Sequence, residues 1–191
     1  MRYRCFFHCC RQAARDEEGA VLVEFAIALP LLLLIMAAFA DFGTILHQRL
    51  RLEEAVSAAS TYAVMSFERL EETGPADFAA ELANLLAATG IRPPVTFEVN
   101  VNDSVGLRMT DGTSTPLVLG GAPESCYCPQ RNGAGFSFGP ELSCNAACAD
   151  GSRAGRYIVI EAARDWSPLF ASYGLAEGGV IRASAIVPIL E

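Results

Sequence analysis

Three groups of residues in this chain have types and spacings that could support chemistry. Cys126-Tyr127-Cys128 and Cys144-Asn145-Ala146-Ala147-Cys148 place four sulfur atoms close together in sequence. Four thiols so spaced suit either tetrahedral zinc ligation or a pair of disulfides. Cys5, His8, Cys9 and Cys10 form a second cluster of soft ligands, which could also suggest lipidation. Near an end and without a fold around it, a disposable leader is the better account of that cluster. The third group is Glu24, a lone carboxylate inside an apolar run, preceded by Gly19-Ala20-Val21-Leu22-Val23 and followed by Phe25. A carboxylate in a bilayer costs about 2.5 to 3.5 kcal/mol at mid-depth and less near an interface, so Glu24 calls for a partner. His47 and the remaining carboxylates show no nucleophile–base pairing, and Gly133-Ala134-Gly135 opens no helix that could cradle a phosphate. The expectation is a protein that is not an enzyme and carries no cofactor and no metal.

Composition narrows the elements that must position these groups. The 191 residues are 52% hydrophobic, enough for one membrane segment and one modest globular domain. A formal net charge of -8 argues against a nucleic-acid partner, because neutralising phosphates needs clustered cations. Residues 20–40 are apolar except for Glu24. As a helix that run is roughly 31 Å long, the thickness of a bilayer's hydrocarbon core. Arg2, Arg4, Arg11 and Arg15 precede it, so the positive-inside rule predicts a cytosolic amino end and an exported remainder.

Beyond the apolar run, Phe42, Ile45, Leu46, Leu52, Val56, Ala59, Ala63, Phe67 and Leu70 recur at helical intervals. This predicts one helix over about 18–72, stopped by Gly74-Pro75, and a second over about 76–88, ended by Gly90. After Pro93-Pro94 the period becomes two, with Val95, Phe97, Val99 and Val101 facing one way, which predicts a half-buried strand. Asn102-Asp103 turns it toward a second strand near 105–109, and Asp111-Gly112 is a further turn signal. Residues 120–155, rich in Gly, Pro and Cys, read as a long loop in need of stapling. Two more strands are expected over about 156–163 and 179–189. The fold class is therefore α+β: a long amino-terminal helix, transmembrane in its first half, packed on a small antiparallel sheet. The expected segments are a cytosolic leader (1–19), a transmembrane helix (20–41), an extracytoplasmic helical region (42–90) and a small β-rich domain with the cysteine loop (91–191).

The glycine, four residues, glutamate and aromatic pattern abutting an apolar run resembles the type IV pilins, and more closely the TadE-like pseudopilins of the tight-adherence (Flp/Tad) pilus system. Gly19, Glu24 and Phe25 carry the motif, with Phe25 where tyrosine is the commoner aromatic of the major Flp pilins. The likeness runs through Leu29-Pro30-Leu31 to Asp41-Phe42-Gly43. It implies a pilin-like fold, cleavage between Gly19 and Ala20 by a membrane prepilin peptidase, and assembly with other pilin or pseudopilin subunits and the Flp/Tad machinery. In that setting the new Ala20 ammonium of one subunit pairs with Glu24 of another and sets axial register. Pro30 removes one helical hydrogen bond and is a candidate kink. The chain's size implies a minor subunit in an adhesion-pilus system. The competing readings are an uncleaved, signal-anchored periplasmic or surface binding protein, a secretory signal peptide cut after Ala38-Phe39-Ala40, and a buried core helix.

Export also bears on the sulfurs. Cys126, Cys128, Cys144 and Cys148 fall outside the membrane, where disulfides are the default, whereas Cys5, Cys9 and Cys10 stay inside. A bond within Cys126-Tyr127-Cys128 closes a strained ring, so each of these two is expected to bond to Cys144 or Cys148, with both connectivities open.

Overall fold

The computed structural model describes residues 17–133, 135–167 and 178–189, the first four as backbone. Cys5, His8, Cys9, Cys10 and most of the 1–19 leader lie outside the described residues. The chain divides into two compact units, Met1–Gly43 and Thr44–Glu191.

In the first unit the described residues belong to helix α1, which spans Glu17–Met65 and continues through Pro30. Its apolar side chains from Val21 to Met36 are exposed. The most apolar 18-residue window has a mean hydropathy of 2.6, and none of that window is buried. Exposing so much leucine, isoleucine and valine to water is unfavourable at about 25 cal/mol per Å², so this surface belongs in lipid or against other apolar surface. The described residues thus contain one candidate membrane-spanning helix.

In the second unit the same helix changes character. Ile45, Leu52, Val56, Ala59 and Ala63 are buried along one face, while Glu53, Glu54, Ser57 and Thr61 remain exposed. These intervals of three, four and seven keep one stripe on the core. The helix expected over 18–72 is in fact two. Ser66, at φ -119°, leaves helical geometry, and a short helix α2 (Phe67–Thr73) restarts after it, with the Ser66 amide donating to the Tyr62 carbonyl at 2.9 Å. Serine is a weak helix former whose side chain competes for backbone partners, and the restart lets Leu70 pack against the core. Helix α3 (Pro75–Ala88) begins with proline at its first position, where no amide partner is needed, and buries Phe78, Ala79, Leu82, Ala83 and Leu86.

Five strands form an antiparallel sheet: β1 (Thr96–Val101), β2 (Val105–Thr110), β3 (Thr113–Val118), β6 (Tyr157–Asp165) and β7 (Val180–Pro188), in the order β3-β2-β1-β6-β7. Helix α3 packs on β1 and β2. Phe97, Val99, Val101, Ile158, Ile160 and Ile181 meet Ile45, Leu52, Val56 and Phe78 in one core. The architecture is the expected α+β arrangement of a long apolar amino-terminal helix followed by a small antiparallel sheet, with the second half of that helix on the core.

Two further features differ from the sequence expectation. Strand β3 follows the tight Asp111-Gly112 turn, both residues having positive φ (49° and 84°) as a two-residue hairpin loop demands. It carries Pro116 and lies at the sheet edge, the place that tolerates a proline. Residues 120–155 are not one long loop. They contain the hairpin β4 (Cys126–Asn132) and β5 (Gly135–Leu142), a second, two-stranded sheet with a register shift between Tyr127 and Pro129.

Candidate membrane and assembly segment

Gly19 and Ala20 lie in the first turns of α1. Glu24 follows Ala20 by four residues on the same helix, so the two positions share a face. The Glu24 side chain is exposed among Val21, Leu22, Val23 and Phe25, which are 60–71% exposed. Pro30 lies within the helix and does not end it. In lipid, an ionised carboxylate on such a face is costly, and a cation on a neighbouring helix is one group that would offset its desolvation. The segment therefore offers a long apolar surface with a single anionic position near its amino end.

The other predicted residues come together in the second unit. Cys126 bonds to Cys144 and Cys128 to Cys148, with Cα–Cα separations of 5.1 and 5.7 Å. Of the two connectivities left open by spacing, this is the parallel one. It follows from the hairpin: Cys126 lies opposite Leu142 at the open end of β4–β5, within reach of Cys144 two residues on. Cys126, Cys128 and Cys148 form a small separate core with Ala154. All four sulfurs are consumed in covalent bonds, which leaves them no lone thiolate for a metal. Among the described residues, no group of three His, Cys, Asp or Glu could hold a metal ion.

Sequence reasoning missed the residues that fasten this stapled hairpin to the sheet. Asn102 directly follows β1 with φ 50° and is 2% exposed. Its Nδ2 donates to the carbonyls of Pro123 (2.9 Å) and Ser125 (2.8 Å), and its amide donates to the Tyr157 carbonyl (2.8 Å). Tyr127 is buried edge-on against Phe138, centroids 5.6 Å apart, and its hydroxyl accepts from the Ala122 amide at 3.2 Å. A Cβ on Gly121 would lie 2.7 Å from that hydroxyl and 2.8 Å from the Asp103 carbonyl, so only glycine fits there. From the sheet, Glu161 Oε1 accepts the Phe136 amide at 3.2 Å. The dipeptide Asn132-Gly133 at the hairpin's turn was the local signal that could have revealed β4–β5. Asn102 had no such signal beyond its turn propensity.

Arg153 and Tyr157 close the base of this region, the Tyr157 hydroxyl donating to the Arg153 carbonyl at 2.7 Å. Burial, and secondarily the charge of Asp150, push the Tyr157 phenol above its ordinary value of 10.0. Hydrogen bonds from the Ser152 hydroxyl and amide hold the Asp150 carboxyl below its ordinary 3.8.

No curated protein and no solved structure matches this chain at a significant level. The Gly19-to-Phe25 pattern, the exposed apolar side chains after it and the buried stripe from Ile45 to Ala59 fall inside residues 19–60, and that stretch is similar to one family: it matches the family model described as TadE-like protein.

Proposed function

We propose that this chain is a minor pseudopilin of a Flp/Tad pilus, not an enzyme, which supports biogenesis of a pilus used in surface adhesion. The protein spans the inner membrane once through the first half of α1, with its amino end cytosolic and its disulfide-bonded domain outside. A prepilin peptidase cuts between Gly19 and Ala20. The new Ala20 ammonium of one subunit then meets Glu24 of a neighbouring pilin or pseudopilin subunit, and Phe25 and the apolar face around it pack against that neighbour. Pro30 adjusts the helix within the bundle.

One observation carries this reading: the TadE-like match begins where an exposed, bilayer-length apolar helix begins, with a single carboxylate one turn inside it. A soluble helix would bury those side chains, and a simple anchor has no use for Glu24, which costs insertion energy and contributes nothing to it.

The test is mass spectrometry of the amino terminus of the membrane form, from cells that express a prepilin peptidase. The expected terminus is Ala20, and Gly19→Val should leave the full-length chain in the membrane because the apolar run is unchanged. A terminus at Met1 in those cells would sink the proposal in favour of an uncleaved anchor. One at Asp41 would instead identify a secretory signal peptide.

A further inference from the structure

The arginines of the second unit are not evenly partnered. Arg49, Arg69, Arg108 and Arg156 each have a carboxylate within 4.0 Å, namely Glu53, Glu81, Glu98 and Glu124. Arg51, Arg92 and Arg164 have no such carboxylate among the described residues, and all three line one pocket of about 520 Å³ together with His47, Gln48 and the Gly90-Ile91 turn. No acidic side chain lines it, in a protein whose acidic residues outnumber its basic ones 22 to 14. Helix α1 contributes His47 and Arg51, one turn apart. The segment after α3 contributes Arg92, and β6 contributes Arg164. Three separate elements thus converge like charges, which repel unless an anion offsets them. Gln48 adds a different demand: its Oε1 is buried without a hydrogen-bond partner and wants a hydroxyl or amide donor.

An occupant that fits both demands carries a net negative phosphate, to which guanidinium forks bind in two-pronged fashion, and a nearby hydroxyl. Its source is narrowed by the covalent chain. His47 is seven residues from Ala40, the end of the apolar run, so even a fully extended link holds the pocket within roughly 25 Å of the bilayer surface. A basic pocket tethered so closely can reach the surface, where it meets lipid headgroups at very high local concentration.

We propose that the pocket of His47, Arg51, Arg92 and Arg164 binds the phosphodiester headgroup of an anionic membrane lipid, with Gln48 accepting from a headgroup hydroxyl. The site holds the exported domain against the membrane surface while α1 is embedded. This inference shares with the proposed function only the membrane-spanning helix; processing at Gly19 can fail without affecting it.

The experiment uses the full chain, purified in detergent micelles and stripped of lipid, with retained lipid counted by native mass spectrometry. Phosphatidylglycerol and phosphatidylcholine are titrated separately, and inorganic phosphate is added in a third arm. The unsubstituted protein should bind phosphatidylglycerol at least about ten-fold more tightly than phosphatidylcholine, since each arginine near such an anion contributes about five-fold. Replacing Arg51, Arg92 and Arg164 together by Gln should abolish the preference, and R51Q/R92Q, which alters only exposed side chains, should reduce it several-fold. The same charge change at Arg49, Arg131 and Arg182 should leave it intact. Equal affinity for the two lipids would overturn the proposal, as would an undiminished preference in both pocket variants or an equal loss in the control. Tight binding of inorganic phosphate without lipid preference would overturn the membrane as the source.

Discussion

Asn102 Nδ2 donates to the Ser125 carbonyl at 2.8 Å, tying the end of the first sheet strand to the residue that precedes the first disulfide cysteine. The same amide group reaches the Pro123 carbonyl at 2.9 Å, and the Asn102 backbone reaches Tyr157. One buried residue, through its side chain and its backbone, thereby anchors both ends of the stapled region. An aspartate in its place could not donate from its side chain, and burying its charge among carbonyls is unfavourable. Asn102→Asp should therefore destabilise the protein by about 2 to 3 kcal/mol, read as a lower midpoint in denaturant titration followed by circular dichroism. An unchanged midpoint would mean that the hairpin is fastened elsewhere.

The two disulfides close loops with sequence separations of 18 and 20 residues. In the chain-entropy model each contributes about 3 kcal/mol. Cys128→Ser with Cys148→Ser should lower stability by roughly that amount while leaving membrane insertion intact. Peptide mapping of unreduced protein should recover Cys126 with Cys144 and Cys128 with Cys148. Recovery of Cys126 with Cys148, or four thiols that alkylate without reductant, would contradict the structure.

Helix α1 makes a contrast within two residues. Leu52 is fully buried and Leu50 is 49% exposed. Leu52→Ala should cost about 2 to 5 kcal/mol through lost transfer energy and a residual cavity, and Leu50→Ala no more than about 0.5 kcal/mol. Thermal unfolding in micelles compares them directly. Equal effects would mean that the second half of α1 is not part of the core.

The Asp150–Tyr157 region should respond to pH at both extremes. The Asp150 carboxyl is held below 3.8 in the folded state, so its contribution is present above that value and disappears as pH falls through the lowered one. The Tyr157 phenol is raised above 10.0, so its contribution is complete below 10.0 and disappears as pH rises through the raised value. Because the charge of Asp150 adds to the Tyr157 shift, Asp150→Asn should move the tyrosinate absorbance of Tyr157 to lower pH. Tyr157→Phe identifies its share of the signal. No movement in D150N would show that burial alone raises the phenol.

Local pattern was enough to determine a good part of this protein. The bilayer-length apolar run, the Gly19-to-Phe25 motif and the three-and-four spacing from Ile45 to Ala63 identify α1, because side chains on a helix repeat with its own period. Alternation from Val95 to Val101 identifies β1 for the equivalent reason. What required the tertiary structure is non-local. The Ser66 break depends on where Leu70 finds the core. Strands β4 and β5 carry little apolar alternation, since the small core beside β4 is made of Cys126, Cys128, Cys148 and Ala154 and not of a row of large apolar side chains. The choice of Cys126–Cys144 over Cys126–Cys148 follows from hairpin register, and the meeting of Arg51, Arg92 and Arg164 follows from bringing together a helix, a turn and a strand far apart in the chain. No sequence spacing encodes such a meeting, because it is set by how the elements pack and not by their own periods.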